Sequence, residues 1–340
     1  MNTKDIIKKL ENIKKNMPDL IIKKIKVSLF NYVYIISNES VSSSDRVNNF
    51  ILKYFSNKSL VNNKILTSLK KEIEEDVPSI NFKIVTDKNN LLNLLFSGFT
   101  IIIFKNKVVA YETRADLDRG VTEPTSEPVI RGPKDSFTEN YNKNMGLIRK
   151  RIKSENLCLE EVTVGKESKS KVGILYMNNI CEEELVINVK EKLEKIDIDG
   201  VLDVNYLKTF LDHNNVTFFP TLLYTEKPDD ASRYLLDGRV IITMENSPSV
   251  IVVPTFFIDF FHNSEDYYHK AFFASFMRIV RFIAFILAII TPALFIAIIS
   301  YDQEILPVSL LINFSIQRSN VPFPVIIEAF ILLFTFELLY

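Results

Sequence analysis

The chain has 340 residues, of which 47% are hydrophobic and 24% are charged, and its formal net charge is −1. This length allows two or more domains. The near-neutral charge argues against a nucleic-acid-binding protein, because phosphate binding needs an excess of Lys and Arg gathered on one face.

The chain begins MNTKDIIKKLENIKKNMPDL, in which lysines alternate with acids and apolar residues. We interpret this pattern as the solvated face of a helix and not as a nucleic-acid patch. It contains no apolar h-region, so no cleavable signal peptide is predicted, and the front of the chain is expected to stay in the cytosol. Cys158 and Cys181 lack Cys-x-x-Cys spacing, which indicates a reducing compartment and neither a disulfide scaffold nor a zinc site.

Two stretches of the first 250 residues resemble each other at an offset of 140 residues: KNNLLNLLFSGFTIIIFKNK at 88–107 and PDDASRYLLDGRVIITMENS at 228–247. Each predicts a short helix, a glycine (Gly98 or Gly238) that can take the left-handed conformation of a helix C-cap, and a buried strand. Chance similarity is the alternative interpretation. The pattern favours a repeated α/β unit.

The repeat extends upstream at nearly the same offset. The strand VYIIS at 33–37 parallels ILYMN at 174–178, and amphipathic helices are predicted to follow at 44–53 and 182–195. Strands separated by helices predict mainly parallel sheets with helices on their faces. The predicted fold class is α/β, with two related lobes in a cytosolic N-terminal domain followed by α-helical transmembrane segments.

A linker at 114–151 joins the predicted lobes. Two Glu-Pro pairs stiffen it, Glu123-Pro124 and Glu127-Pro128, and Arg131-Gly132-Pro133 predicts a turn. Ser136 or Thr138 is predicted to cap the helix that follows. Alternating acids and arginines can form bidentate pairs that lock two lobes or two subunits together, and an anion site is the alternative.

Charged residues become sparse after Lys270, and residues 282–300 read FIAFILAIITPALFIAIIS without a charge. About 20 apolar residues span a bilayer, so a transmembrane helix is predicted at about 279–301, bent at Pro292. A buried core helix is the alternative. Basic residues precede this run and Asp302 and Glu304 follow it, which places the N-terminal side in the cytoplasm.

Two further apolar stretches follow, at 305–316 and 321–340. The first is too short to cross a bilayer alone, and Pro322 and Pro324 break the backbone in the second. Glu328 and Glu337 lie in the same apolar stretch. A carboxylate at membrane depth indicates a pathway or a polar pairing, whereas a position at headgroup level is the alternative. These prolines and carboxylates, with Pro292, are the candidates for a membrane pathway.

No catalytic pattern was found. His213, His262 and His269 show no spacing for a metal or for a nucleophile and its base. Gly165-Lys166 with Ser168 lacks the first glycine of a phosphate loop and predicts a surface hairpin instead. We therefore expect no enzyme activity, no cofactor and no bound metal.

Several blocks in the linker and membrane segments resemble GerA-type spore germination proteins: the A subunits of germinant receptors and their paralogue SpoVAF. The matching blocks are EPTSEPVIRGPKDSFTEN, NMGLIRKRI, FFPTLLYTEKPD, LLDGR, SPSVIVVP, SEDYY, FMRIVRF, VPFP and FELL. They run from about Tyr32 to the last residue in the family's order.

This resemblance implies a subunit in the inner membrane of bacterial spores with its soluble domain in the core. Such subunits are expected to assemble with a transporter-like B subunit, a lipoprotein C subunit and copies of themselves into a cation conduit, without nucleic acid. The family's linker motif, with a role in structural coupling, is carried over to Glu123, Pro124, Glu127, Arg131, Gly132, Pro133, Phe137, Glu139, Asn144 and Arg149.

We place the domains at 1–125 (first lobe with an N-terminal helix), 126–154 (linker and connecting helix), 155–262 (second lobe) and 263–340 (membrane region). Family members continue with further membrane helices after the FELL block. The sequence is therefore expected to be a fragment or the product of a truncated gene.

Four functions remain open from the sequence. The leading prediction is a germinant-receptor subunit that couples nutrient sensing to ion release. The alternatives are a SpoVAF-like ion-channel amplifier, a non-conducting membrane scaffold, and a protein that binds a small ligand between its lobes.

Overall fold

The computed structural model describes residues 3–28, 31–52, 82–85, 88–104, 107–116, 124, 127, 131–212, 220–318 and 322–339. In the first lobe a short α-helix runs directly into a π-helical turn at Val47–Leu52. The elements of this lobe are α1 Thr3–Lys14, β1 Leu20–Ser28, β2 Asn31–Asn38, α2 Ser44–Arg46, β3 Phe82–Ile84, α3 Lys88–Phe96, β4 Phe99–Phe104 and β5 Lys107–Glu112.

The connecting helix α4, Tyr141–Arg151, leads into the second lobe, where a 3₁₀ turn covers Val204–Leu207. The remaining elements of this lobe are β6 Leu157–Val164, β7 Ser170–Met177, α5 Glu183–Glu194, α6 Lys208–Leu211, β8 Leu223–Thr225, α7 Pro228–Leu236, β9 Val240–Met244 and β10 Val250–Val253. The predicted helix at 182–195 is confirmed by α5.

The two sheets share one topology. Their strand orders are β1-β2-β4-β5-β3 and β6-β7-β9-β10-β8, so equivalent strands occupy equivalent places. The prediction of two related lobes is therefore confirmed. The prediction of mainly parallel sheets is wrong, because every pairing among the described strands is antiparallel. Strands joined by connections as short as those between β4 and β5 or between β6 and β7 can pair only in this way.

Gly98 and Gly238 hold the same place in the two lobes. Their φ angles are 86° and 84°, and each N–H donates to the carbonyl of a leucine three residues earlier, Leu95 or Leu235, at 3.1 Å. This left-handed conformation is open to glycine at little cost. The predicted left-handed C-caps are confirmed at both positions.

Helical segments cover both faces of each sheet, so β4 and β9 are buried along their whole lengths. In the second lobe Ile241 packs with α4 and α7, while its neighbour Ile242 packs on the opposite face with α5. In the first lobe Ile101 packs with α1 and α3, and Ile102 packs with Ile51 of the π-helical turn. A strand that is buried on both faces has a nearly continuous run of apolar residues in its sequence.

Residues 260–340 form a second compact unit, separate from residues 1–259. Its main helix, α8, covers Ala271–Ser300, and Pro292 lies inside it without ending it. At 1.5 Å per residue its 30 residues extend about 45 Å, more than the roughly 30 Å of a bilayer core. Within the described part of the chain, α8 alone is long and apolar enough to cross a membrane.

Two shorter helices follow, α9 at Val308–Arg318 and α10 at Val325–Leu339. Pro322 and Pro324 directly precede α10, and the carbonyl of Pro324 accepts the N–H groups of Ile327 and Glu328 at 3.0 and 3.1 Å. The predicted break at the two prolines therefore becomes the start of a helix. Both helices are too short for a perpendicular crossing of a full bilayer core.

An ion cluster precedes the apolar part of α8. Asp266 lies in a 3₁₀ turn at Ser264–Tyr268, and its carboxylate pairs with Arg278, at 3.2 Å, and with Arg281. Burial acts to raise the pKa of this carboxyl, but the hydrogen bonds from Arg281, the Asn263 backbone and Arg278 outweigh it and lower the pKa. The two arginines of the predicted basic flank are thus partly neutralised within their own unit.

Candidate functional site at the junction of the two lobes

A buried ion pair joins the first lobe to the connecting helix. Nε and Nη2 of Arg149, on α4, donate to the two carboxylate oxygens of Asp19, which directly precedes β1, at 2.5 and 2.8 Å. The side chains are only 1% and 7% exposed. Asp19 also accepts from Asn38 Nδ2 at 3.0 Å and from Ser40 Oγ at 2.9 Å. The carboxylate is therefore almost fully saturated by donors from both sides of the junction.

The geometry of α4 explains why Arg149 faces the first lobe. Asn140 caps the helix by accepting the N–H of Lys143 at 3.0 Å, and Met145 and Ile148 pack into the core of the second lobe. Arg149 follows on the adjoining helix face, where its guanidinium carbon lies 5.7 Å from the centre of the Phe96 ring. The prediction that Ser136 or Thr138 caps the helix is wrong, because α4 begins at Tyr141 and its N-cap is Asn140.

Other contacts also cross the junction. The N–H of Leu159 on β6 donates to the carbonyl of Asn16 at 3.0 Å, and exposed Lys9 pairs with Glu155 at 2.9 Å. The exposed pair contributes little, since solvent screens it. The buried pair and the backbone bond are the contacts that fix how the two lobes meet.

The linker lies against the edge of the second lobe. Glu127 Oε2 accepts from Thr225 Oγ1 at 2.8 Å and from the N–H of Glu226 at 3.1 Å, and the N–H of Phe137 donates to the Glu226 carbonyl at 2.8 Å. Ser136 Oγ donates to the same carbonyl at 3.1 Å. The end of β8 thus anchors two separate points of the linker.

Asn144 fixes the last part of the linker onto α4. Its side chain is fully buried, accepts the N–H of Thr138 at 2.8 Å and donates to the carbonyls of Thr138 and Ser247. Next to Thr138, the carbonyl of Glu139 accepts the N–H of Asn246 at 3.0 Å. The carbonyl of Glu139 and the side chain of Asn144 thus connect the linker to the β9–β10 turn.

The other motif residues are less closely connected. Pro124 is buried, Pro133 is half-buried, and Arg131 and Gly132 are exposed, with Gly132 at φ 120°. Glu123 lies outside the described residues. The motif therefore contributes two anchors on the second lobe, at Glu127 and at Phe137 to Asn144, and one link to the first lobe, at Arg149. Its coupling role remains a prediction.

Sequence reasoning missed Asp19, which carries the other half of the junction. Its only local signal is an acid between Pro18 and the apolar start of β1, and its partner lies 130 residues away. It also missed the pair of Arg151 with Asp135, at 2.7 Å to both carboxylate oxygens. That pair is half-exposed and lies on the same helix as Arg149.

A second, largely buried ion pair lies at the end of the compact unit of residues 1–259. Arg239, which follows Gly238, donates to both oxygens of Asp259 at 2.6 and 2.9 Å and to the carbonyl of Pro254 at 3.1 Å. Asp259 in turn accepts the N–H of Phe256 at 2.7 Å. This clamp fixes the chain that leaves β10 against the α7–β9 turn.

The membrane pathway candidates lie on or next to two different helices. Pro292 lies in α8, Pro322 and Pro324 precede α10, and on α10 Glu328 is half-buried whereas Glu337 is exposed. The pathway therefore remains a prediction. Among the described residues, no group of three or more His, Cys, Asp or Glu side chains is placed to hold a metal ion.

The pKa of Glu127 allows a test of the linker anchor. Burial raises the pKa of this carboxyl, and the bonds from Thr225 and Glu226 offset that only in part. A raised folded-state pKa means that Glu127 favours the folded state at low pH and that this contribution is lost as pH rises through the raised pKa. Glutamine keeps an oxygen for both bonds and has no charge to bury.

We therefore expect the Glu127→Gln variant to be at least as stable as the wild type at pH 7. Its advantage should shrink as the pH falls to about 4, where glutamates become protonated. Melting temperatures of both proteins between these two pH values test this. A variant that is less stable at pH 7 and gains relative stability in acid would contradict the anchor.

The chain is similar in sequence to a known protein family and to several of its members. The family profile described as Bacillus/Clostridium GerA spore germination protein matches residues 8–340. Spore germination protein KA of Bacillus subtilis (strain 168) is 30% identical over 331 residues, which cover 94% of this chain and 59% of that protein. Spore germination protein XA of Bacillus anthracis is 34% identical over 252 residues, 74% of this chain and 51% of that protein. The chain thus spans between half and three fifths of the length of these relatives.

A solved structure shares the fold. The crystal structure of the N-terminal domain of the A subunit of the Bacillus megaterium spore germinant receptor GerK3 superposes with a TM-score of 0.53 at 23% identity. It covers 74% of this chain and 94% of that domain. At this identity the comparison shows the fold alone.

Proposed function

Because the chain belongs to the GerA family of spore germination proteins, we propose that it is the A-type membrane subunit of a nutrient germinant receptor. In this role it couples germinant sensing to ion release through an oligomeric, channel-like assembly, which starts germination. It performs no catalytic step and needs no cofactor. Its place is the inner membrane of the spore, with residues 1–259 on the cytosolic side.

The observation that carries the proposal is the combination within one chain of a two-lobed soluble unit and a helix of membrane-spanning length. The lobes are joined through a buried, charged junction, a kind of contact that has a small number of well-defined arrangements. The chain then leaves the second lobe through the Arg239–Asp259 clamp and continues to α8. A change at the junction can in this way act on the membrane segment.

The proposed partners are a transporter-like B subunit, a lipoprotein C subunit and further copies of this chain. Support comes from the named relatives, which are spore germination proteins, and from the A-subunit domain whose fold the soluble unit shares. The orientation is supported by Lys270, Arg278 and Arg281 before the apolar run and by Asp302 and Glu304 after it.

Germination of spores that lack this gene, compared with the parent strain nutrient by nutrient, tests the proposal. Loss of the response to one nutrient class is the expected result, and restoring the gene should restore that response. Equal slowing on every nutrient would instead indicate a SpoVAF-like amplifier. Unchanged germination on every nutrient would contradict both and leave a non-conducting scaffold.

A further inference from the structure

A cleft of about 200 Å³ opens between the first lobe and the end of the connecting helix. Its apolar wall consists of Val41, Phe96 and Ala115, all from the first lobe. Lys150, in the last turn of α4, and Lys153, just beyond it, also line the cleft. The cleft is therefore bounded by the first lobe and by the end of the connecting helix, the two parts of the chain that the junction joins.

Positive charge enters this cleft from both sides. Arg114 lines it from the first lobe, two lysines line it from the helix end, and the residues that line the cleft include no acid. The Arg114 guanidinium is held in place because its Nε donates to the carbonyl of Ser97 at 3.1 Å. Glu112 lies 3.7 Å from Arg114 Nη2 and offsets part of the charge of Arg114.

The apolar wall adjoins the buried junction. Phe96 is only 1% exposed and packs near the guanidinium of Arg149. Nη1 of Arg149 is buried and has no hydrogen-bond partner among the described residues. Phe96 of the apolar wall thus lies close to a buried donor that has no partner among the described residues.

We infer that this cleft binds a small oxyanion, a phosphate or carboxylate group carried on a small molecule. Arg114 holds it from the first lobe, and Lys150 and Lys153 hold it from the helix side. Guanidinium groups fit such oxygens in bidentate geometry, and lysines add compact charge. The volume is below the usual range for drug-sized ligands, so the ligand is small.

A ligand held from both sides favours the arrangement in which both sides are close. It would therefore strengthen the contact between the first lobe and α4. This inference concerns the soluble unit and does not depend on the proposed receptor function, so either can fail without the other.

Calorimetric titration of the 340-residue chain in detergent tests the inference. The probes are inorganic phosphate in one series and succinate in another, with sodium chloride of equal ionic strength as the reference. Binding of either probe is expected, and the pattern identifies the ligand chemistry as phosphate, carboxylate or both. The Lys150→Gln/Lys153→Gln double variant should bind at least about tenfold more weakly, a change of about 1.4 kcal/mol.

Lys143→Gln is the matched control, since Lys143 lies on the same helix but does not line the cleft. This variant should bind like the wild type, and circular dichroism should show that all variants are folded. The inference is overturned if neither probe binds at up to about 10 mM, a concentration matched to weak binding. It is also overturned if Lys143→Gln weakens binding as much as the double variant does.

Discussion

Replacing Arg149 by leucine is expected to lower the free energy of unfolding by about 3–5 kcal/mol. The substitution leaves Asp19 buried with its charge uncompensated, although Asn38 and Ser40 still donate to it. For domains of this size such a loss lowers the melting temperature by roughly 10 °C. Thermal unfolding of the 340-residue chain in detergent, followed by circular dichroism, measures the shift.

Arg151→Leu is the matched control, because Arg151 lies on the same helix and its Nη2 donates to both carboxylate oxygens of Asp135 at a half-exposed position. Exposed pairs contribute about 0–1 kcal/mol, so this variant should melt close to the wild type. In the Asp19→Leu/Arg149→Met double variant both charges are removed, and much of the stability should return. Equal effects of Arg149→Leu and Arg151→Leu would contradict a junction held by a buried pair.

Gly98→Ala is expected to cost about 3 kcal/mol of folding free energy. The left-handed backbone alone costs a residue with a Cβ about 1–2 kcal/mol, and overpacking adds about 1–3 kcal/mol. A Cβ at Gly98 would lie 2.8 Å from the Val41 carbonyl oxygen and 2.9 Å from the Arg114 Cα, and neither backbone atom can move easily. The melting temperature of the 340-residue chain measures this effect.

Two other glycines serve as controls for that substitution. At Gly238 the nearest atom to an added Cβ is the Ile180 Cγ2, at 3.0 Å, a side-chain end that can rotate away. Gly238→Ala should therefore cost mainly the backbone term, about 1–2 kcal/mol. At Gly200 nothing lies within 4 Å, and Gly200→Ala should change stability by less than about 0.5 kcal/mol. A smaller loss at Gly98 than at Gly238 would show that the close backbone contact is not limiting.

Features that depend on local pattern were predictable from the sequence. The left-handed glycines, helix α5 and the long apolar helix α8 each follow from a short run of residues, so neighbours in the chain determine them. The repeat was predictable for the same reason, because Gly98 and Gly238 each follow a helix and precede an apolar strand. Periodicity and capping chemistry act within a few residues.

The pairing of the strands and the junction depend on contacts between distant residues. Strands β5 and β10 directly follow β4 and β9, and without a recognised turn their apolar residues do not reveal a hairpin. The partner of Arg149 is set by the docking of the first lobe and has no pattern near α4. The helix cap was missed because Ser136, Thr138 and Asn140 are all suitable residues. Ser136 instead donates to the Glu226 carbonyl, and Phe137 packs into the core and donates its N–H to the same carbonyl. These contacts hold the chain before Asn140 outside the helix.

The proposed role of the junction in germination is tested by a variant that weakens the junction without removing its charge. Arg149→Lys keeps the positive charge but loses the bidentate geometry, so the protein is expected to fold with a weakened junction. Arg151→Lys makes the same change at the half-exposed pair. Comparing these two variants separates junction geometry from helix charge.

The decisive measurement is nutrient-triggered cation release from spores of a deletion strain that carries the wild-type gene, Arg149→Lys or Arg151→Lys, with equal protein amounts verified by immunoblot. A receptor subunit that acts through the junction predicts loss of release in the deletion strain for one nutrient class. It also predicts full restoration by the wild type and by Arg151→Lys, and slower release with Arg149→Lys. Release that is unchanged by the deletion, or identical with all three genes, would contradict it.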